Sequence, residues 1–165
     1  MKKVSFVLLA VFSDTHGNTE PMKRAVLSWA PDVVLHLGDY SRDADWLRGQ
    51  FPDLDARSVR GNCDLGSAAP DKLELEWEGV KLLATHGHLY NVKYTLDPLM
   101  NAAYFSGAKL ALYGHTHFSE YREEGGIMFL NPGSAGTGSR PSAALITLEK
   151  GTAACRIVKM PGGWL

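Results

Sequence analysis

Five strand-like runs, most of them aliphatic throughout, each stop at a small residue followed by an oxygen or nitrogen donor. Val4–Phe12 leads into Ser13-Asp14-Thr15-His16-Gly17-Asn18, and Val33–Leu37 into Gly38-Asp39. Asp55–Val59 leads into Gly61-Asn62, Val80–Ala84 into Thr85-His86-Gly87-His88, and Lys109–Tyr113 into Gly114-His115-Thr116-His117. A run that is apolar at successive positions, not at alternate ones, reads as a strand buried on both faces. Such strands need a layer of other structure on each side. Their carboxyl ends are where open α/β sheets carry ligands. Five strand ends can therefore aim Asp, Asn and His at one region.

The donor set is hard oxygen and imidazole, with no thiolate required. It suits divalent Mn, Fe, Ni or Zn, and it suits a two-metal site that activates water. Asp14 and His16 are two residues apart, so in extended backbone they share a face and can bind one ion. The same geometry links His115 and His117, although a tight turn would send them to neighbouring ions. Asp39 is the expected bridge, because a carboxylate can give one oxygen to each of two ions. Asn62 offers a neutral amide oxygen and His86 another imidazole. Each piece alone is ordinary: an Asp-x-His occurs by chance, and a Gly-Asp is usually a turn. Together they are not, since five of the six histidines fall in three of these clusters.

The elements between the runs set the topology. Asn18 or Thr19 is placed to cap a helix that reaches about Ala30, with Pro21 in its first turn and Pro31 beyond its end. Ser41 or Asp43 opens a short second helix. The first third is thus βαβαβ, a parallel right-handed unit. The rest is richer in hairpins: Leu73–Trp77 with Val80–Ala84, Ser119–Arg122 with Ile127–Leu130, and Ala143–Leu148 with Ala153–Val158. Pro98–Ser106 reads as a helix with Gly107 as its C-cap. A parallel half and a hairpin-rich half imply two stacked sheets with helices outside, in one domain spanning 1–165.

Composition removes several classes of function. At a net charge of −1 with no run of Lys or Arg, a nucleic-acid groove or an anionic-membrane surface has no support. Two cysteines imply no disulfide framework and suit a reducing cytoplasm. Met1-Lys2-Lys3 before an apolar run imitates a secretion signal, but the run leads straight into the Asp14/His16 cluster, and a first buried strand is the better reading. No apolar stretch reaches the ~20 residues of a membrane span. The oligomeric state is not set by sequence, and a homodimer is compatible with it. Arg60 and Arg140 read as structural or solvated, His36 as a core histidine or an outer partner of a metal ligand, and the loose tail ends at Trp164-Leu165.

The ordered set Asp-x-His, Gly-Asp, Gly-Asn, His and Gly-His-x-His, from Ser13 to His117, resembles the calcineurin-like metallophosphoesterases. The short chain, Gly61-Asn62-Cys63-Asp64 and Asn131-Pro132-Gly133-Ser134 are similar to the compact bacterial and archaeal phosphodiesterases of that family. The resemblance implies a four-layer α/β/β/α sandwich of two mixed sheets. It implies that Asp14, His16, Asp39 and His117 hold one divalent ion, and that Asp39, Asn62, His86 and His115 hold the other. Manganese is the metal expected, with Ni, Fe, Zn or Mg as alternatives, and Asp39, Asn62 and His86 are also expected to serve catalysis on a small-molecule phosphoester. Many members carry a histidine after Gly-Asn that assists the leaving group, whereas this chain has Cys63, a thiol of ordinary pKa ~8.5. Cys63, Asp64 or His88 are the residues left for that task, and a packed Cys63 and a plain loop His88 are the competing readings. The activity implied is a dinuclear metal-dependent phosphodiesterase. The alternatives are a non-catalytic metal-binding scaffold for protein partners of the Vps29 type, or a phosphomonoesterase. A β-lactamase-like hydrolase would need a His-x-His-x-Asp-His cluster, which this sequence lacks, and an amidohydrolase barrel would need ~250 residues.

Overall fold

A computed structural model describes residues 5–161. The order is β1 (Val7–Phe12), α1 (Glu20–Trp29), β2 (Val33–His36), α2 (Arg42–Gln50), β3 (Asp55–Ser58), β4 (Lys72–Trp77) and β5 (Val80–Thr85). Then follow a 3-10 turn (His88–Tyr90), α3 (Asp97–Ser106), β6 (Leu110–Leu112), β7 (Ser119–Glu124), β8 (Ile127–Pro132), β9 (Ser142–Glu149) and β10 (Thr152–Lys159). Two five-stranded sheets result, ordered β10-β9-β1-β2-β3 and β4-β5-β6-β8-β7. Both are mixed: β1, β2 and β3 are parallel with β9 antiparallel beside β1, and β5, β6 and β8 are parallel between antiparallel β4 and β7.

The four layers explain the unbroken apolar runs. Along β1, Leu9 and Val11 point into the core between the sheets, where they join Leu35 of β2, Leu82 of β5 and Leu110 and Leu112 of β6. Ala10 and Phe12 point the other way, onto Met22 and Ala25 of α1 and Leu47 of α2. On the far side, Leu83, Ala111 and Phe129 pack against Leu99 and Ala103 of α3. Each central strand faces two dry layers, so each must be apolar at every position.

Three expectations need correction, and one element carries no sequence signal. The hairpin β9–β10 does not belong with the other hairpins but closes onto β1, because Ala143–Leu148 is itself buried on both faces and the free edge of β1 offers it two layers. The first strand starts at Val7, where its ladder with Leu148 begins, and Phe6 before it is half exposed. Val4 and the Lys2-Lys3 pair lie outside the described residues, as does Trp164. The helix starts fall at Thr19 and Ser41, but neither side chain caps its helix. The Ser41 hydroxyl instead meets that of Ser67 at 2.9 Å. Finally, the 3-10 turn at His88–Tyr90 had no counterpart in the sequence reading. Gly107 does close α3 in a left-handed conformation. Among the described residues no helix is long and apolar enough to cross a membrane.

The inter-sheet core should therefore govern stability. Leu112→Ala, at a fully buried position between the sheets, is expected to cost about 2–5 kcal/mol. Urea unfolding would read this as a lower midpoint with an unchanged slope.

Candidate metal centre

The loops leaving β1, β2, β3, β5 and β6 meet at one edge of the sandwich, and they meet so closely that glycine is required. A Cβ on Gly61 would lie 2.2 Å from Asp39 Oδ1, and one on Gly114 would lie 2.0 Å from the Ser13 hydroxyl. The small residue before each donor in the sequence is thus the space into which a neighbouring loop fits.

Within this junction, one donor atom each from Asp14, His16, Asp39 and His117 lies within 4.8 Å of the others. Asp14 is fully buried. Its Oδ2 accepts from the Ser13 hydroxyl and from the His115 amide, while its Oδ1 has no hydrogen-bond partner. Around that orphan oxygen stand Nε2 of His117 at 3.1 Å and Nε2 of His16 and His86 at 3.9 Å each. Asp39 divides its oxygens: Oδ1 faces His86 at 3.5 Å and Oδ2 faces His16 at 3.8 Å. The carboxylate lies between two imidazole groups, His16 with His117 (ring centroids 5.3 Å apart) and His86 with His115 (5.1 Å).

His86 shows what the centre lacks. Its Nδ1 lies 2.7 Å from the Leu37 carbonyl, which can only accept, so Nδ1 carries the proton. In the neutral ring, Nε2 then presents a lone pair to Asn62 Oδ1 at 3.1 Å and to Asp39 Oδ1 at 3.5 Å. Three acceptors facing one another call for a positive charge, a proton or a metal ion. The orphan Asp14 Oδ1 and the unpartnered, buried His16 Nε2 make the same demand. The residues present fit a divalent cation, and the donor set is the oxygen and imidazole one that such ions take.

The local electrostatics agree. Burial, and then the neighbouring His86, lower the pKa of His115 to about 4, which keeps it a neutral ligand. His88 is lowered for the same reasons. For Asp39, burial acts to raise the pKa, but positive charge at His86 and the Cys63 amide on its Oδ1 outweigh this and hold the carboxyl below its usual range.

All seven predicted ligands stand at this edge, but two local arguments change. Asp14, His16, His115 and His117 all have positive φ, between 48° and 71°. The pairs therefore sit on tight left-handed turns, not on extended backbone. The turn puts the His115 ring beside His86 and the His117 ring beside His16. Five of the ten non-glycine residues with positive φ among the described residues are predicted ligands, Asp39 being the fifth. Such backbone persists only where surrounding contacts enforce it, and it clusters at functional sites.

The residues considered for leaving-group assistance separate as well. Asp64 is engaged: Oδ1 accepts the amides of Tyr40 and Ser41, and Oδ2 that of Gly61. Cys63 is exposed, and burial of its thiol group together with nearby Asp39 pushes its pKa up. His88 has its ring 5.3 Å from that of His86 and a buried Nδ1 without a partner. It belongs to the junction.

A supporting network stands behind the ligands, and of its members His36 and Asn131–Ser134 carry a sequence signal. The Gly38 amide donates to Nδ1 of His36, so the proton sits on Nε2, which donates to the Thr15 hydroxyl at 2.8 Å. Thr15 in turn donates to Asp43 at 2.6 Å, and Asp43 also accepts the Gly17 amide. This chain pins the turn between Asp14 and His16 from below. On the other side, Ser134 donates to the Asp14 carbonyl, and Asn131 donates to the Gly114 carbonyl and the Thr116 hydroxyl. Asp43 lies inside a helix and gave no such signal.

Residues 7–151 match the model of the calcineurin-like phosphoesterase superfamily domain. Over 158 residues the chain is 31% identical to the probable metallophosphoesterase YsnB of Bacillus subtilis (strain 168), covering 92% of this chain and 90% of that protein. It is 33% identical over 134 residues to vacuolar protein sorting-associated protein 29 of Schizosaccharomyces pombe, with 80% and 70% covered. The fold matches a crystal structure from Streptococcus pneumoniae TIGR4, a conserved uncharacterised protein and predicted phosphoesterase. There the TM-score is 0.79 at 26% identity, over 97% of this chain and 96% of that one.

His36 makes stability depend on pH. Burial lowers its pKa from 6.5 to about 4. Between those values the unfolded chain binds the proton and the folded one does not, so stability is full above pH 6.5 and falls as pH drops toward 4. The loss is on the order of 3 kcal/mol, and urea midpoints across this range should show it. In His36→Gln, which cannot titrate, the slope should be shallower.

Proposed function

The chain belongs to the calcineurin-like phosphoesterase superfamily, and on that footing we propose that it is a dinuclear metal-dependent phosphodiesterase. One observation carries the reading: a buried carboxylate oxygen, Asp14 Oδ1, has no hydrogen bond and three imidazole nitrogens around it. In this reading Asp14, His16, Asp39 and His117 hold one divalent ion and Asp39, Asn62, His86 and His115 the other, with manganese the metal first expected. When bound, such ions lower the pKa of water and offset charge on a phosphoryl group.

The protein's own part is positioning. The Ser13 hydroxyl and the His115 amide orient Asp14, the Cys63 amide orients Asp39, and the Leu37 carbonyl fixes the tautomer of His86. Such outer partners set both the direction and the basicity of ligands. Asp39→Asn keeps the shape but removes the charge facing both imidazole groups. Bound metal by elemental analysis and hydrolysis of bis-(p-nitrophenyl) phosphate are expected to fall together, with turnover abolished. Near-normal activity with two ions bound would sink the bridging role.

The preference for diesters with good leaving groups rests on what surrounds the departing oxygen. Asp64 is tied to three amides, and the Cys63 thiol is held protonated. General acid assistance is worth ~10²–10⁴-fold, and an aryl leaving group hardly needs it, whereas an alkyl one does. Cys63→Ser should leave rates within about two-fold, since neither side chain is a matched acid. Cys63→His should raise the rate for alkyl esters more than for aryl esters. A large loss in Cys63→Ser with metal still bound would assign the thiol a chemical role.

A second reading is a metal-binding scaffold for a protein partner. It draws on the likeness to vacuolar protein sorting-associated protein 29 and on the exposed Tyr94, Tyr104 and Phe105. Metal binding without hydrolysis of any phosphomonoester or diester would favour it.

A further inference from the structure

A cavity of about 360 Å³ opens beside the metal centre, between the loops that follow β2 and β3. Tyr40 and Cys63, each next in sequence to a predicted ligand, line it together with Arg42, Asp45, Asp64, Leu65 and small residues of the same loops. Tyr40 has a positive φ of 72°. One side of its ring lies 5.3 Å from the His16 ring. The Arg42 guanidinium stands over the same ring, 4.5 Å from its centre. The Tyr40 ring thus touches both a predicted ligand of the metal centre and a guanidinium that lines the cavity.

The charges around the Tyr40 ring are unequal in availability. Asp45 pairs with Arg48. Asp64 accepts three backbone amides, and Asp43, buried beneath, accepts from Thr15 and Gly17. Arg42 makes no ion pair among the described residues and is held by the aromatic face alone. A guanidinium on an aromatic platform keeps its donors free while losing conformational freedom. Its fork matches a phosphate or carboxylate in bidentate fashion.

We propose that this cavity is a substrate subsite in which Arg42, positioned by Tyr40, binds a second phosphate carried on an ester arm of the substrate. The substrate class is then a phosphodiester with a further phosphate near the scissile one, as in a phosphorylated nucleotide ester. This rests on the phosphodiesterase reading. Arg42 is a specificity residue and takes no part in bond breaking.

The test compares thymidine 5'-(p-nitrophenyl phosphate) with the same compound bearing a 3'-phosphate, both with manganese. Wild-type protein should show a kcat/KM about ten-fold higher for the 3'-phosphorylated substrate, the size of one charged hydrogen-bonding contact, expressed in KM. In Arg42→Gln the ratio should fall to near one. Tyr40→Phe keeps the platform and should keep the ratio, while Tyr40→Leu should lower it. Arg140, the exposed guanidinium on the opposite flank beyond His117, controls for loss of one surface charge: Arg140→Gln should keep the wild-type ratio. A wild-type ratio of one or less, an unchanged ratio in Arg42→Gln, or an equal fall in Arg140→Gln would overturn the subsite and leave the phosphodiesterase reading standing. Failure of the wild-type protein to hydrolyse either compound would overturn both.

Discussion

At the loop edge of the sandwich a carboxylate oxygen, Asp14 Oδ1, is removed from water and left without a hydrogen-bond partner. Leaving a buried polar atom without a partner is costly, and more so on a carboxylate. A second carboxylate, that of Asp39, and three imidazole nitrogens share the same space, a set of donors that a cation would bind together. Such an arrangement is stable when a cation completes it. The rest of the structure works to hold these donors in place: glycines that let loops touch, left-handed turns that redirect side chains, and buried hydrogen bonds under each loop.

Those supports are spread over the whole chain. The turn carrying Asp14 is gripped by Ser134, 120 residues away, and by the His36–Thr15–Asp43 chain beneath it. Leu37, just after β2, sets the tautomer of His86 after β5. The two sheets are therefore joined twice, by the apolar core between them and by polar contacts at the loop edge. A change that loosens the inter-sheet core will misalign the donors even though it lies far from them.

Around this centre the protein is open, with a cavity on the Cys63 side and another beyond His117. Their walls are loop residues such as Tyr40, Leu65 and Phe118, with Arg42 from the first turn of α2, on a frame built from strands. Rigid donors beneath variable loops allow substrate preference to change while the centre is preserved.

Much of this was legible in the chain. Continuous apolar runs mean two-sided burial, so the sandwich followed from Val33–Leu37 and its counterparts. Donors placed just after the strand ends, at Asp39, Asn62 and His115 among others, pointed to the candidate centre, helped by the family resemblance. Local pattern, however, describes a strand's own faces and not its neighbours. The sequence could not say that β9 lies against β1, because edge pairing depends on which buried surface remains free once the other strands are in place. Nor could it separate His36, Asp64 and Cys63 by role. His36 is a neutral proton donor in a buried chain, Asp64 is a clamp for three amides, and Cys63 is an exposed thiol. These assignments depend on donors and acceptors that come from other elements, and such partners exist only once the chain has folded.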